Sequence, residues 1–303
     1  MKYDFLITGG LGQVGSYLSE SLVSQNYKVA ILDNMSSAVN PYPPDSTFIM
    51  GDICDLKLTS DLVKVSDNII HCAAQISVSN SIENPMFDAQ NNVMGTLNLL
   101  DAARKGDIKR FIYFSSAAVY GNPISPIINE MHPREPVSPY GLSKLSGEKY
   151  ALLYNKIYNL PVAVIRPFNI YSPRQDPSNP YSGVISKFFD NIRRGKPPVI
   201  FGDGRVTRDF VSVHDVVDMV LLMLENRAAV GKVFNCGTGV RTRIDELANM
   251  IISQCGNSIK PEFFPERPGD IKNSCADISL AADIIGYKPK VKLKEGLKEI
   301  VDS

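Results

Sequence analysis

Apolar positions in the first half of the chain fall into short unbroken runs, not alternating ones. Residues 5–8, 27–32, Thr47–Met50, 68–71, Arg110–Phe114 and Val162–Pro167 each read as a strand with both faces covered. Between them lie stretches with helical spacing, at 16–24, 85–104 and 140–159. Strands alternating with helices predict βαβ units and a parallel sheet. From residue 168 the texture changes to a Ser/Pro/Asn-rich loop over 172–180. Helices follow over 184–194, 216–226 and 244–255, with short strands at 199–201 and at 233–236, the last returning to the sheet. The expected fold is α/β: a Rossmann-type doubly wound parallel sheet with a smaller, discontinuous α/β substrate-binding lobe. The expected boundaries are 1–167, joined by parts of about 207–236, for the sheet domain, and 168–206 with 237–303 for the lobe.

The first strand runs straight into Gly9-Gly10-Leu11-Gly12-Gln13-Val14-Gly15 and then into a helix. Strand, glycine turn and helix are the context in which a glycine fingerprint points to a dinucleotide. Glycines let the backbone turn tightly and approach a pyrophosphate on the helix N-terminus. The second strand ends at Asp33, whose carboxylate can accept hydrogen bonds from ribose hydroxyls and would repel a 2′-phosphate, favouring NAD over NADP. Asp52, after the third strand, could meet an adenine amino group, and Cys72-Ala73-Ala74 after the fourth leaves room for a cofactor against the backbone. His71, inside that strand, reads as a hydrogen-bonded core residue.

The chemistry centres on Tyr140 and Lys144, four residues apart and so on one face of a helix. A phenol of ordinary pKa about 10 acts as a base near neutrality only if it is moved by roughly 3 units, about 4 kcal/mol. An ammonium beside it favours the phenolate, and a positively charged nicotinamide ring would supply the rest, so a lowered Tyr140 is expected. Ser116, where the fifth strand gives way to Ser115-Ser116-Ala117-Ala118-Val119-Tyr120-Gly121, is placed to bridge a substrate hydroxyl and the phenol. Ser115 reads as a turn cap.

Composition narrows the partners. Lys+Arg and Asp+Glu are equal at 32 each, so no overall field draws nucleic acid or a membrane surface, and an anionic ligand must be met by local Arg or Lys. Five cysteines without a C-x-x-C argue against a disulfide framework or a zinc site. Met1 leads directly into a strand, and the apolar run 219–224 is far too short to span a bilayer. A soluble cytoplasmic protein is the expectation.

In order and spacing, these pieces resemble the extended short-chain dehydrogenase/reductases, specifically the NAD-dependent sugar epimerase/dehydratase family. The resemblance rests on Gly9-x-x-Gly12-x-x-Gly15, Asp33, Asp52-Ile53, Asn91-Asn92-Val93-x-Gly95-Thr96, Ser115 to Gly121, Tyr140-x-x-x-Lys144, Arg166-Pro167-Phe168-Asn169, Arg208-Asp209-Phe210 and Arg267-x-Gly269-Asp270, spanning almost the whole chain. It implies NAD held by Gly9, Gly12, Gln13, Val14, Gly15, Asp33, Asn34, Ser36, Ser37, Asp52, Ile53, Cys72, Ala73, Ala74, Gln75, Asn91, Tyr140, Lys144 and Phe168. It implies Ser116, Tyr140 and Lys144 as the catalytic set, and Asn169, Val184, Phe201, Arg208, Arg267, Asp270 and Ser274 beside Ser116 and Tyr140 around a UDP-sugar.

Within such a family, 4,6-dehydratases carry Thr-Asp-Glu where this chain has Ser116-Ala117-Ala118, and two methyl groups cannot move protons. Decarboxylases also carry a carboxylate at Ala118. The resemblance therefore implies a UDP-glucose/UDP-galactose 4-epimerase. Ser274, small where relatives that exclude N-acetyl sugars carry Tyr, adds the UDP-GlcNAc/UDP-GalNAc pair. The rivals are an enzyme acting on another nucleotide sugar such as UDP-glucuronate, a net ketoreductase, and a non-catalytic NAD sensor. Ser172 stands where relatives commonly have Gly. Relatives pair two long helices per subunit, so a homodimer through 85–104 and 139–159 is implied.

Overall fold

The computed structural model describes residues 2–37, 40–175, 183–266 and 272–303. Its centre is a seven-stranded sheet of β1 (Tyr3–Thr8), β2 (Val29–Asp33), β3 (Thr47–Met50), β4 (Ser66–His71), β5 (Arg110–Phe114), β6 (Val162–Pro167) and β7 (Val233–Cys236). The spatial order is β7-β6-β5-β4-β1-β2-β3, and every neighbouring pair is parallel. Strand order reverses between β1 and β4, which opens a crevice at the carboxyl ends where ligands of such sheets bind.

The apolar runs are explained by two cores. Successive strand side chains point to opposite faces, and both faces are covered. Phe5, Ile7, Ile31, Ile70 and Ile112 meet Leu18 and Leu22 of the helix Gln13–Ser24 and Val216, Val220 and Met223 of the helix Val213–Glu225. Leu6, Ala30, Leu32, Ile69, Phe111 and Tyr113 meet Leu62, Val63, Leu99, Leu100 and Ala103 on the other face. A third core joins Tyr171, Ile185, Phe188, Ile200, Phe210, Leu247, Ile251 and Leu297 in the later half of the chain. Ala281, Ile285 and Tyr287 pack instead against the first sheet core.

One helix differs from the sequence reading. The stretch expected as one helix over 85–104 is α-helical at Pro85–Ala89, π-helical at Gln90–Gly95 and α-helical again at Thr96–Ala103. Helix-period reasoning cannot see such a wide turn, which recurs at functional sites. The helix Pro139–Tyr158 starts as its sequence demands, with Pro139 in the first turn and Ser138 accepting from the Gly141 amide at 3.1 Å. It stops at Asn159, which takes the left-handed conformation, φ 56°. No helix among the described residues is long and apolar enough to cross a membrane.

Candidate active site

The strand ends gather the glycine loop, Asp33, Asp52, Cys72-Ala73-Ala74, Ser116 and Phe168 along one edge of the sheet. The loop has no room for side chains: a Cβ on Gly15 would stand 2.2 Å from the Gly9 carbonyl oxygen, and one on Gly9 2.7 Å from the backbone of Ala73. Gly12 begins the helix Gln13–Ser24 with no side-chain cap, leaving its first amides available to an anion. Asp33 is partly exposed, and its two oxygens accept from the amides of Leu11 (3.0 Å) and Met35 (2.8 Å). Burial works against the charge of Asp52, yet bonds from the Cys54 amide and the Asn34 side chain outweigh it and keep the carboxyl below its usual range. A bare-backbone cradle at a helix start, followed by an acid at the end of β2, fits a dinucleotide.

Tyr140 and Lys144 leave the same face of the helix Pro139–Tyr158, and that helix lies very close to the segment after β5. A Cβ on Gly141 would stand 2.7 Å from the Ala118 carbonyl oxygen. Ser116 Oγ accepts from the Ala118 amide at 3.1 Å and stands near enough to the Tyr140 phenol to work against the effect of its burial. Lys144 is 3% exposed, with Nζ 4.8 Å from the centre of the Tyr113 ring. The structure thus brings Ser116, Tyr140 and Lys144 together.

Burial works against the expected acidity of the phenol. It pushes Tyr140 above its ordinary value, the nearness of Ser116 opposes this, and the Asp88 carboxylate adds to it. Burial also pulls Lys144 down, to about 8. Desolvation, which the sequence does not display, opposes the ionisation of both groups.

Ser115 is likewise not a turn cap. Its hydroxyl donates to the buried Glu148 carboxylate at 2.8 Å. Glu148 follows Lys144 by four residues and takes both Nε (2.9 Å) and Nη2 of Arg166, which is fully buried on β6. Arg166 Nη1 donates to Tyr120 Oη (2.7 Å), and Tyr120 donates to Asn235 on β7 (2.6 Å). The helix Pro139–Tyr158 is therefore riveted to three strand ends. The signal for this was the row Tyr140, Lys144, Glu148, a charged residue at each of two further turns on one helical face.

His71 is a core residue as expected, between the hydroxyls of Thr8 (2.8 Å) and Thr96 (2.9 Å). Asn91 donates to the Phe87 carbonyl near the surface (2.8 Å). Asn92, which the sequence reading did not single out, is 1% exposed and reaches both Gln75 and Ser143 of the catalytic helix. Phe168 is buried at the end of β6.

On the side facing the later core, Asn169 begins a short strand, Asn169–Tyr171, paired with Phe210–Ser212. Its amide group donates to the Asp209 carbonyl at 2.9 Å. Val184 opens the helix Val184–Arg193 behind an uncapped Gly183, and with Phe201 it lines a cavity of about 390 Å³. Arg208 donates to the Thr207 carbonyl at 2.9 Å. Ser274 is buried, its amide on the Thr207 carbonyl at 3.2 Å. Arg267 and Asp270 lie outside the described residues, as do parts of the loop over 172–180. No cluster of three or more candidate metal ligands occurs among the described residues.

Residues 6–300 match the family model described as GDP-mannose 4,6 dehydratase. The chain belongs to this family of extended short-chain dehydrogenase/reductases, enzymes that epimerise or dehydrate nucleotide sugars. It is similar to a putative UDP-glucose 4-epimerase of Methanocaldococcus jannaschii, 41% identical over 300 residues that cover 98% of this chain and 97% of that protein. A solved UDP-N-acetylglucosamine 4-epimerase from Methanobrevibacter ruminantium M1, in complex with UDP-N-acetylmuramic acid, superposes with TM-score 0.93 at 37% identity, covering 100% and 98% of the two chains. A UDP-glucuronic acid 4-epimerase from Bacillus cereus, in complex with UDP-glucuronic acid and NAD, gives TM-score 0.91 at 31% identity, with 100% and 98% covered.

Proposed function

We propose that this chain is an NAD-dependent 4-epimerase of UDP-hexoses, interconverting UDP-glucose and UDP-galactose and also the N-acetylated pair. The observation that carries the reading is Ser116 Oγ, anchored on the Ala118 amide beside the Tyr140 phenol, one helical turn from a buried Lys144 and with only methyl groups at Ala117 and Ala118.

NAD is the cofactor, held by the glycine loop and the residues named above, with Asn92 behind them and not Asn91 alone. The chemistry it supplies when bound is the reversible removal of hydride from sugar C4. The protein's own residues do the rest. Tyr140 takes the C4 hydroxyl proton through Ser116 and gives it back after the 4-keto sugar has turned over. Lys144, sealed beneath, keeps a positive charge beside the phenolate as it forms. Loss of water would need an acid and a base close to the sugar, and Ala117 and Ala118 offer neither. Asn169, Val184, Phe201, Arg208, Arg267 and Asp270 would hold the nucleotide diphosphate, with Ser274 leaving space for an acetamido group.

The lobe that holds the sugar would be built from 168–206 and 237–303. Two copies would pair through the apolar residues Met86, Phe87, Leu153 and Ile157, each more than 40% exposed. A cytoplasmic enzyme accords with this chemistry. The test is incubation with UDP-glucose, UDP-GlcNAc or UDP-glucuronate without added reductant, products being read by NMR. Conversion of the first two to their C4 epimers is expected. A dehydrated product, a requirement for external reductant, or turnover of UDP-glucuronate alone overturns the assignment.

A further inference from the structure

Behind the helix that carries Tyr140 and Lys144 lies a carboxylate to which no step above gives a role. Asp88 is 1% exposed. Its Oδ1 accepts from Gln75 Nε2 at 2.8 Å and from Asn92 Nδ2 at 3.0 Å, while its Oδ2 is buried with no hydrogen-bond partner among the described residues. Asn92 Nδ2 also stands 3.1 Å from Ser143 Oγ, and Ser143 donates to the Tyr140 carbonyl at 3.0 Å. Asp88 is thus two side chains away from the turn between the two proposed reacting residues. The π-helical turn Gln90–Gly95 follows directly and carries Asn92.

We propose that Asp88 is a positioning residue for the Tyr140–Lys144 pair: an unneutralised carboxylate, sealed behind the catalytic helix, that sets the field in which both protons move. This rests on the assignment of those two residues as the reacting pair. Hydrogen bonds from neutral amides hold the carboxylate in place but do not cancel its charge, and burial leaves that charge poorly screened.

The other ionisable groups facing the pair are already accounted for. Glu148, on the same helix, is neutralised by both arms of Arg166. Burial keeps the thiol of Cys72 after β4 and the phenol of Tyr113 on β5 protonated, and it holds His71 on β4 neutral by pulling it down to about 3. Asp88 acts on both members of the pair in the same sense, making the Lys144 proton harder to lose and the Tyr140 proton harder to remove. Its removal should therefore shift both ionisations to lower pH.

The variant Asp88→Asn keeps an accepting oxygen for Gln75 and Asn92 and puts its amide where Oδ2 had no partner, so no hydrogen bond is lost. The experiment measures the pH dependence of turnover of the NAD-loaded enzyme, and separately titrates the Tyr140 phenolate by ultraviolet difference against Tyr140→Phe. The acid limb and the phenolate midpoint should both move to lower pH by more than about 0.3 unit, at least a twofold rise in the phenolate fraction on the acid side. A shift of about 0.3 unit or less, or a shift upward, overturns the proposal whatever the melting temperature does.

A merely structural Asp88 would lower stability and rate and leave the midpoints in place. Should the Asn variant unfold early, Asp88→Ser, also neutral and smaller, goes through the same titration. The ultraviolet titration uses no sugar. A protein that epimerises normally with unmoved midpoints sinks this inference alone. One whose midpoints move but which epimerises nothing sinks the functional assignment alone.

Discussion

The two walls of the candidate site are built differently. The wall at the sheet edge is deep: Glu148, Arg166, Tyr120 and Asn235, at most 1% exposed, are joined in one hydrogen-bonded network across β5, β6 and β7, with Lys144, 3% exposed, one helical turn from Glu148. The opposite wall is shallow. Asn169, Val184, Phe201 and Arg208 are all partly exposed, and they sit on strands of two or three residues or at a helix start. Groups that move a proton must hold their geometry within fractions of an ångström, and a packed polar network does that. Groups that choose a substrate need shape, which short strands on a common core can vary without disturbing the chemistry. Changes in the first wall should therefore alter rate or stability, and changes in the second should alter choice.

The largest effect expected in the deep wall is on chemistry. Tyr140→Phe removes the proton carrier but keeps the ring, so turnover should fall by about 10²–10⁴-fold, the usual worth of a positioned acid–base group. NAD content after purification should stay at the wild-type level. Unchanged turnover on any UDP-sugar would dissolve the contrast between the walls.

Next comes stability. Arg166→Met takes both arms of the guanidinium from buried Glu148 and leaves it the Ser115 hydroxyl and Arg134, 4.0 Å away and 40% exposed; breaking a buried pair typically costs about 3–5 kcal/mol. Thermal melting should show a fall of many degrees. A melting point near wild type would mean that the rivet does not hold the catalytic helix.

How much of this contrast could be read in the chain follows the same division. The seven strands were visible because a strand covered on both faces has no polar side, and the glycine loop because strand, turn and helix follow one another without a gap. Tyr140 and Lys144 were visible because one helical turn joins them. Contacts between distant segments were not. Ser115 and Glu148 are 33 residues apart, and Tyr120 and Asn235 are 115 apart. That Asn92 is buried and Asn91 only partly so depends on a π-helical turn that has no periodic signature. The burial that works against an acidic Tyr140 was not legible either, because residue types show which charges are near and not how much water is gone. In the shallow wall the pairing of Asn169–Tyr171 with Phe210–Ser212 joins runs too short to carry a pattern.

The shallow wall is tested by Ser274→Tyr. Ser274 is tied to the frame through Thr207, whose hydroxyl donates to Asn273 at 2.8 Å, so a larger side chain there cannot simply drift away with its backbone. Activity on the N-acetylated pair should fall by about tenfold or more relative to UDP-glucose and UDP-galactose, the discrimination expected from a steric clash of a few kcal/mol. The melting point should scarcely move. Equal losses on both pairs would show that Ser274 does not border the sugar.

The smallest effect belongs where the two walls meet. Ser172, in the loop after the strand Asn169–Tyr171, accepts from Gln13 Nε2 at 3.0 Å and lies near Tyr17, both on the helix that opens with the glycine loop. The same loop brings Arg174 over the Tyr17 ring, 4.2 Å from its centre. Because Gln13 stands at the proposed pyrophosphate site, this contact couples the shallow wall to the cofactor cradle. Ser172→Gly removes the contact and also frees the backbone, so it should weaken NAD retention by about two- to tenfold, the range of one hydrogen bond of 0.5–1.5 kcal/mol. The check is the dissociation rate of NAD followed by its displacement from the purified protein, with kcat at saturating NAD unchanged. An unaltered off-rate would mean that the two walls act independently even where they touch.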